Sequence, residues 1–419
     1  MSSLTFTVLF IGFLVISLIV RFWLASRHIR HIMAHSAAVP EQFAGKIPLD
    51  AHRRAAAYTI AKTKFSLLVH LLNAVVLIGF TLMGGLQWLS VQALDIFGTG
   101  YRYQLALVLG FALISGLIEL PLDYFRQFVL EQRFGFNRMT PTLFFTDLAK
   151  SSALSLALGL GLVWIVLILM DKSGDLWWLY AWIVWCVFQL SMLVLVPLFI
   201  APLFNKFKPL EDESLRTRIE NLMARVGFSA SGLFVMDGSR RSAHGNAYFS
   251  GFGAAKRIVF FDTLLERLAP HEIEAVLAHE LGHFKLKHIV KRIVLMFAAS
   301  LAFLALLGYL KTQTWFFTGL GVEPMMSASN DAMALILFAL VLPVFSFLLS
   351  PITSIGSRKH EFEADAFAAK HTNSQDLVSA LVKLYEDNAS TLTPDPLHSA
   401  FYDSHPPAAV RINRLLAAT

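Results

Sequence analysis

Long apolar runs alternate with shorter polar segments along this chain of 419 residues. A helix of about 20 predominantly apolar residues can cross the hydrocarbon core of a bilayer, so each run of that length predicts a membrane-spanning helix. Seven runs qualify: 3–20, 65–89, 103–124, 152–170, 176–203, 293–311 and 332–355. The pattern predicts an all-α polytopic membrane protein with about seven transmembrane helices.

The segment 204–292 has a different pattern, typical of a small α+β domain in water. Residues 211–226 read as a charged amphipathic helix, and residues 232–236, 246–252 and 257–261 read as short strands joined by glycine-rich connections. We therefore divide the chain into four parts: transmembrane helices 1 to 5 with their loops (1–203), a polar α+β segment (204–292), transmembrane helices 6 and 7 (293–355) and a polar C-terminal segment (356–419).

Composition agrees with a membrane protein, because 56% of the residues are hydrophobic, only 15% are charged and the mean hydropathy is +0.60. Basic residues crowd the segment after the first apolar run, which the positive-inside rule assigns to the cytoplasm. An odd number of spans then leaves the N-terminus outside and the C-terminus inside. The same asymmetry explains the net charge of +6, so no nucleic-acid partner is expected.

The sequence His-Glu-Leu-Gly-His at 279–283 carries the most informative chemistry. One helical turn separates His279 from His283, so both imidazoles lie on one face and can bind one zinc ion. Glu280 beside them is the expected general base, taking a proton from a water at the metal. Two histidines do not complete a catalytic zinc site, which needs a third protein ligand. His271 and His288 flank the motif, and neither is expected to touch the zinc.

The third ligand must come from a segment on the same side of the membrane, and residues 356–419 return to that side. There Glu361 and Asp365 lie four residues apart and share one helix face. We predict that Glu361 is the third ligand, whereas Glu363 lies about 200° around the helix and faces elsewhere. Asp365 is expected to accept a hydrogen bond from the second ring nitrogen of a zinc-bound histidine.

With these residues, the chain resembles the type I CAAX prenyl endopeptidases, integral-membrane zinc proteases of the gluzincin type. The resemblance extends over roughly two thirds of the chain. It is carried by residues 120–121, 131–140, 200–205, 246–249, 257–264, 361–365 and 404–407.

The resemblance implies seven helices around a water-filled chamber, with one zinc ion near its cytoplasmic end. It implies cleavage near the C-terminus of peptide or protein substrates with a CAAX sequence, prenylated or not. His405 matches a histidine that can stabilise the oxyanion, and Asn246 begins the strand expected to hold an extended substrate, so we select it as a substrate contact. Arg411 is a candidate partner for Asp365 or for a substrate carboxylate.

The compact chain looks more like a bacterial member, so a bacterial inner membrane is expected in preference to the endoplasmic reticulum. Other membrane zinc proteases carry the same motif in a different arrangement of membrane spans. A site-2-type intramembrane protease would place the motif in an apolar span, and the four-span heat-shock membrane protease has fewer spans. A membrane-protein quality-control metalloprotease stays open as an alternative function, as does a non-catalytic scaffold or transporter.

Overall fold

The computed structural model describes residues 1–250, 256–326 and 328–417. Helices occupy most of this part of the chain. The helices up to the first strand are α1 (Ser3–His35), α2 (Leu49–Phe80), α3 (Gly85–Phe97), α4 (Tyr101–Phe125), α5 (Pro141–Ser155), α6 (Gly161–Lys172), α7 (Trp177–Leu195) and α8 (Ala201–Phe204). The later helices are α9 (Glu213–Arg225), α10 (Asp262–Arg267), α11 (Pro270–Lys285), α12 (His288–Leu310), α13 (Thr314–Thr318), α14 (Asp331–Ser346), α15 (Ser350–His371), α16 (Ser374–Asp387), α17 (Pro396–Tyr402) and α18 (Ala408–Ala417).

Seven helices in the described part of the chain are long and apolar enough to cross a membrane, which is the predicted number. Three of these helices contain a π-helical turn, either between two α-helical parts or at the end of the helix. The turns lie at residues 126–131, 156–160 and 196–200. The most apolar stretch of Gly174–Phe204 has no buried residue. This helix packs against α12, where Trp182 Nε1 donates to the Phe297 carbonyl at 2.9 Å, but it stays partly accessible along that stretch.

The predicted limits of the second span, 65–89, are wrong. Helix α2 begins at Leu49 and ends at Phe80, and a separate helix, α3, follows a turn. Gly84 in that turn has a φ of +80°, which favours glycine because a side chain there would strain the backbone. The polar first third of α2 carries no apolar signal, so a hydropathy pattern cannot find its beginning.

A four-stranded mixed sheet lies in the polar segment, in the order β1 (Phe207–Pro209), β2 (Gly232–Met236), β4 (Arg257–Phe261), β3 (Ala247–Ser250). Strands β2 and β4 match the predicted limits, and they pair in parallel. The predicted strand 246–252 is observed only as far as residue 250, since residues 251–252 lie outside the described residues. Strand β1 was missed, because three residues are too few for a periodic signal.

One hydrophobic core joins this sheet to distant parts of the chain. Buried side chains of α9, α11 and β4 pack with those of α16 and α18, and with Phe43 and Ile47 from the connection between α1 and α2. Helix α15 crosses the boundary expected at residue 355 and enters this core at Ala368. The polar segment and the C-terminal segment therefore pack as one body beside the membrane helices.

Arg241 ties this body to helix α5. Its guanidinium donates to both carboxylate oxygens of Asp147, at 2.8 and 3.1 Å, and to the Asn205 side chain and the Phe204 carbonyl at 2.9 and 2.6 Å. Bidentate Arg–carboxylate pairs are geometrically specific and stronger than neutral hydrogen bonds. The contact fixes the position of the polar body against one membrane helix.

We expect Arg241→Met to lower the free energy of unfolding by about 2 kcal/mol, because it leaves Asp147 half-buried without its cation. The melting temperature of the protein in detergent would measure this. Arg126→Met is the matched control, since the Arg126–Asp123 pair is more than half exposed on both sides and exposed pairs contribute little. Equal melting temperatures for the two variants would contradict the prediction.

Candidate metal centre

Helix α11, which carries the zinc motif, has a well-satisfied N-terminus. Pro270 occupies the first turn, where its missing N–H costs nothing. The Glu272 carboxylate accepts from the Ala269 N–H at 2.7 Å, and from Ser379 and Lys383 of α16 at 2.6 and 2.7 Å. Burial raises the pKa of Glu272, but the hydrogen bonds from these groups outweigh burial and lower it. The helix is thus anchored at the end opposite the motif.

Two imidazole nitrogens and one carboxylate converge at the far end of α11. His279 Nε2 and His283 Nε2 are 3.2 Å apart. Glu361 of α15 approaches both, with Oε2 at 3.6 Å from His279 Nε2 and Oε1 at 3.3 Å from His283 Nε2. His279 and Glu361 are buried, and His283 is nearly so.

The donor set and its spacing fit a zinc ion. Four ligands at about 2.05 Å from Zn²⁺ in a tetrahedron lie about 3.3 Å from one another, close to the observed separations. His279 uses its Nδ1 for Asp365, so its Nε2 is the nitrogen that faces Glu361 and His283 and could bind a metal ion there. Two imidazoles and one carboxylate also leave a position open, as catalytic zinc sites do.

Asp365 and Arg411 hold the first histidine in place. His279 Nδ1 lies 2.8 Å from Asp365 Oδ1, and the Arg411 guanidinium donates to both oxygens of Asp365 at 2.6 and 2.8 Å. Burial lowers the pKa of His279, but its hydrogen bonds with Asp365 and Glu361 prevail and raise it to about 9. Burial likewise lowers the pKa of Arg411, and Asp365 more than offsets this. Of the two partners expected for Arg411, the structure pairs it with Asp365.

The distance between α11 and α15 depends on a glycine inside the motif. A Cβ at Gly282 would lie 3.1 Å from Ala364 Cα, 3.1 Å from Phe367 Cβ and 3.3 Å from the Ala364 carbonyl oxygen. These are backbone atoms and the root of a side chain, which cannot rotate away. The absence of a side chain at Gly282 therefore lets α15 come close enough for Glu361 to reach the two imidazoles.

Glu280 follows His279 in α11, and His405 contacts the ligand Glu361. Glu280 is partly exposed, and its carboxylate makes no hydrogen bond or ion pair with the described residues. His405 Nδ1 lies 2.7 Å from Glu361 Oε2, while most of its side chain is exposed and lines a cavity of 320 Å³. Both side chains are thus at least partly open to solvent, and His405 contacts one of the three ligands.

The side chain of Asn246 bonds its own neighbour in the chain and none of the three ligands. It is exposed immediately before β3, and its side-chain oxygen accepts the Ala247 N–H at 2.8 Å. Strand β3 is the edge of the sheet and packs near α11. The main chain of β3, more than the Asn246 side chain, is therefore what the structure offers to an extended peptide.

Sequence reasoning missed one contact to the metal motif. His283 Nδ1 lies 3.1 Å from His288 Nδ1, and His288 Nε2 lies 2.8 Å from Glu363 Oε2. Glu363 does face away from the three ligands, as expected, but towards His288. The available signal was a histidine at position 288, five residues after His283. Whether the two side chains meet depends on the direction of α12 relative to α11.

Comparison with known proteins agrees with this geometry. A family model described as the CAAX prenyl protease N-terminal region, with five membrane helices, matches residues 28–206. The model of peptidase family M48 matches residues 209–419. The chain is similar to CAAX prenyl protease 1 of Saccharomyces cerevisiae, with 39% identity over 72% of this chain and 69% of that protein. It is 34% identical to the Arabidopsis thaliana CAAX prenyl protease 1 homolog, over 97% and 96% of the two chains.

A solved structure is similar over nearly the whole length. The crystal structure of S. mikatae Ste24p superposes with a TM-score of 0.91 at 31% identity, covering 98% of this chain and 99% of that one. These relatives are eukaryotic, so they give no support to the expectation of a bacterial source.

We expect Gly282→Ala to weaken zinc binding by roughly tenfold, since the added methyl group pushes α15 and Glu361 away from the imidazoles. Alanine also favours the helix by about 1 kcal/mol, which partly offsets the cost of the overpacked contact between the helices. A chelator competition with the purified protein measures the zinc dissociation constant. Gly356→Ala in α15 is the control, because a Cβ there meets no atom within 4 Å. Parental zinc affinity in Gly282→Ala would reject this role.

Proposed function

Because the chain belongs to peptidase family M48, a family of zinc-dependent peptidases, we propose that it is a membrane metalloendopeptidase that cleaves near the C-terminus of substrates of CAAX type. The observation that carries the proposal is the convergence of His279, His283 and Glu361 from two helices on one point. The relatives' names support the substrate class, since they are CAAX prenyl proteases.

His279, His283 and Glu361 would hold the zinc ion, one per chain. Bound zinc supplies Lewis acidity, which polarises a substrate carbonyl and makes a water molecule more acidic. Asp365 accepts the Nδ1 proton of His279 and so keeps the Nε2 lone pair directed at the ion. Arg411 neutralises Asp365, so that the carboxylate stays buried beside the histidine without an unpaired charge.

Glu280 is the proposed general base. It follows His279 on the same helix, and its carboxylate has no competing partner among the described residues. In the reaction it takes a proton from the attacking water on one carboxylate oxygen and delivers it to the nitrogen of the leaving peptide. Partial exposure lets the water reach it.

His405 is proposed to donate a hydrogen bond to the oxyanion that forms as the carbonyl is attacked. Its contact with Glu361 supports a position beside the reacting carbonyl. The following Pro406 and Pro407 restrict the backbone, which limits the directions available to the side chain.

The substrate is proposed to bind as an extended strand along the edge of β3, pairing through its main chain. Asn246 at the start of β3 is the proposed side-chain contact, for which its hydrogen bond to Ala247 would have to open. A prenyl group on the substrate cysteine would suit a protein embedded in a bilayer, because lipid and isoprenoid are both apolar.

The segments 204–292 and 356–419 are proposed to form one cytoplasmic unit, with the N-terminus of the chain on the opposite side. The basic residues after the first span support this orientation. The bacterial inner membrane expected from the sequence has no support among the eukaryotic relatives, so the orientation is proposed and the organelle is not.

We expect Glu280→Gln to lower kcat on a farnesylated CAAX peptide by at least about 10²-fold, the usual contribution of a positioned base, while zinc content stays at one per chain. Product release from peptides with and without the farnesyl group measures both the activity and the need for lipid. Glu266→Gln, the same change at an exposed position of α10, is the control and keeps parental activity.

Equal kcat in Glu280→Gln and the parent would reject Glu280 as the base. Parental protein that leaves both CAAX peptides intact but degrades an unfolded membrane protein would favour the quality-control function. No hydrolysis of any substrate by the zinc-loaded protein would favour the non-catalytic alternative.

A further inference from the structure

Three side chains form a hydrogen-bonded series that begins at His283, the second histidine of the zinc motif. His283 Nδ1 lies 3.1 Å from His288 Nδ1, and His288 Nε2 lies 2.8 Å from Glu363 Oε2. The His288 side chain is only 3% exposed, whereas that of Glu363 is 35% exposed. The proposed function does not use either of these two residues.

The contacts allow one consistent set of proton positions. His283 Nε2 faces Glu361 and His279, so it is the nitrogen directed at the metal, and the proton of a neutral ring sits on Nδ1. This proton can be donated only to a lone pair on His288 Nδ1. His288 then carries its own proton on Nε2 and donates it to the Glu363 carboxylate. Each ring nitrogen of His283 and His288 then has one role, as donor or acceptor, and no two ring protons face each other.

The backbone between the two helices brings His288 back to His283. Lys287 has a φ of +59°, one of two non-glycine residues with positive φ among the described residues. A residue with a Cβ adopts this left-handed conformation only where the surrounding structure holds it. Here it ends α11 and starts α12 at His288, so that the first side chain of α12 lies against the last turn of α11.

We propose that His288 and Glu363 are positioning residues for the zinc ligand His283, in the way that Asp365 positions His279. This inference rests on the proposed zinc site. Both carboxylates come from the stretch of α15 that also supplies Glu361. Three acidic residues of one helix segment, at 361, 363 and 365, would then orient or complete the whole ligand set.

A second metal site is the competing interpretation, since His288, His360 and Glu363 also cluster. The rings of His288 and His360 are stacked 4.0 Å apart and only 13° from parallel. Lone pairs of an imidazole lie in the plane of its ring, so two stacked rings cannot both direct a lone pair at one ion. The cluster also lies near Lys359, Lys291 and Arg292, whose charges disfavour a dication. The observations favour the positioning role.

The test uses the zinc dissociation constant of the full-length protein in detergent, measured with zinc ions alone by chelator competition. His288→Leu fills a similar volume without an acceptor, and we expect zinc binding to weaken by roughly 10- to 100-fold, as found when an outer hydrogen-bond partner is removed. His288→Asn places an amide oxygen near the position of Nδ1, so it should retain most of the affinity. His360→Leu is the control, because His360 stacks on His288 but takes no part in the hydrogen bonds that run from His283 to Glu363. The zinc affinity of this variant should match that of the parent.

Glu363 gives an independent arm, because it is partly exposed and its variants should fold. Glu363→Ala should weaken zinc binding, and Glu363→Gln should weaken it less, since the amide oxygen still accepts from His288. The melting temperature of the zinc-free proteins separates the alternatives. A purely structural role would lower that temperature and leave the zinc affinity of the folded protein unchanged.

Parental zinc affinity in both His288→Leu and Glu363→Ala would overturn the inference and leave the proposed function standing. Two zinc ions per parental chain, falling to one in His360→Leu, would also overturn it in favour of the second metal site. A parental protein that binds no zinc would reject the proposed function together with the inference.

Discussion

The close packing of α11 against α15 at Gly282 and Ala364 is the contact on which the metal centre depends. Each helix alone carries incomplete chemistry, since two imidazoles on one helix and a carboxylate on another do not form a zinc site. The missing side chain at Gly282 removes the atoms that would separate the helices. The two imidazole nitrogens and the carboxylate oxygens of Glu361 consequently lie 3.2 to 3.6 Å apart, which a zinc ion can bridge.

The candidate metal centre also shows how buried charges are balanced. Glu361 and Asp365 are both buried, and an unpaired carboxylate would be costly there. Arg411 from α18 neutralises Asp365 and lies 3.6 Å from Glu361. The last helix of the chain therefore takes part in the site, and the C-terminal segment must pack on α11 and α15 before the site is complete. Arg241 and Asp147 connect this body to helix α5.

Prediction from the sequence succeeded where the signal is local. Apolar runs identified seven membrane helices, and β2 and β4 were found with their limits, because a short apolar run within polar and glycine-rich sequence is a local signal. Prediction failed at the start of α2 and at β1, where the residues are polar or the element is short. Glu361 and Asp365 were selected because residues four apart share a helix face. Their contacts with His279 could be suspected from the topology of the chain, but the topology sets no distance.

What the sequence determined by itself is the set of membrane helices and the presence of the His279–His283 pair on one helix face, because helical periodicity depends only on neighbouring residues. What the tertiary structure decided is which side chains meet around that pair. In the same segment of α15, Glu361 contacts both imidazoles, Asp365 contacts His279 and Glu363 contacts His288. These contacts depend on the distance and angle between helices about 80 residues apart in the chain, and no rule of local spacing sets either quantity.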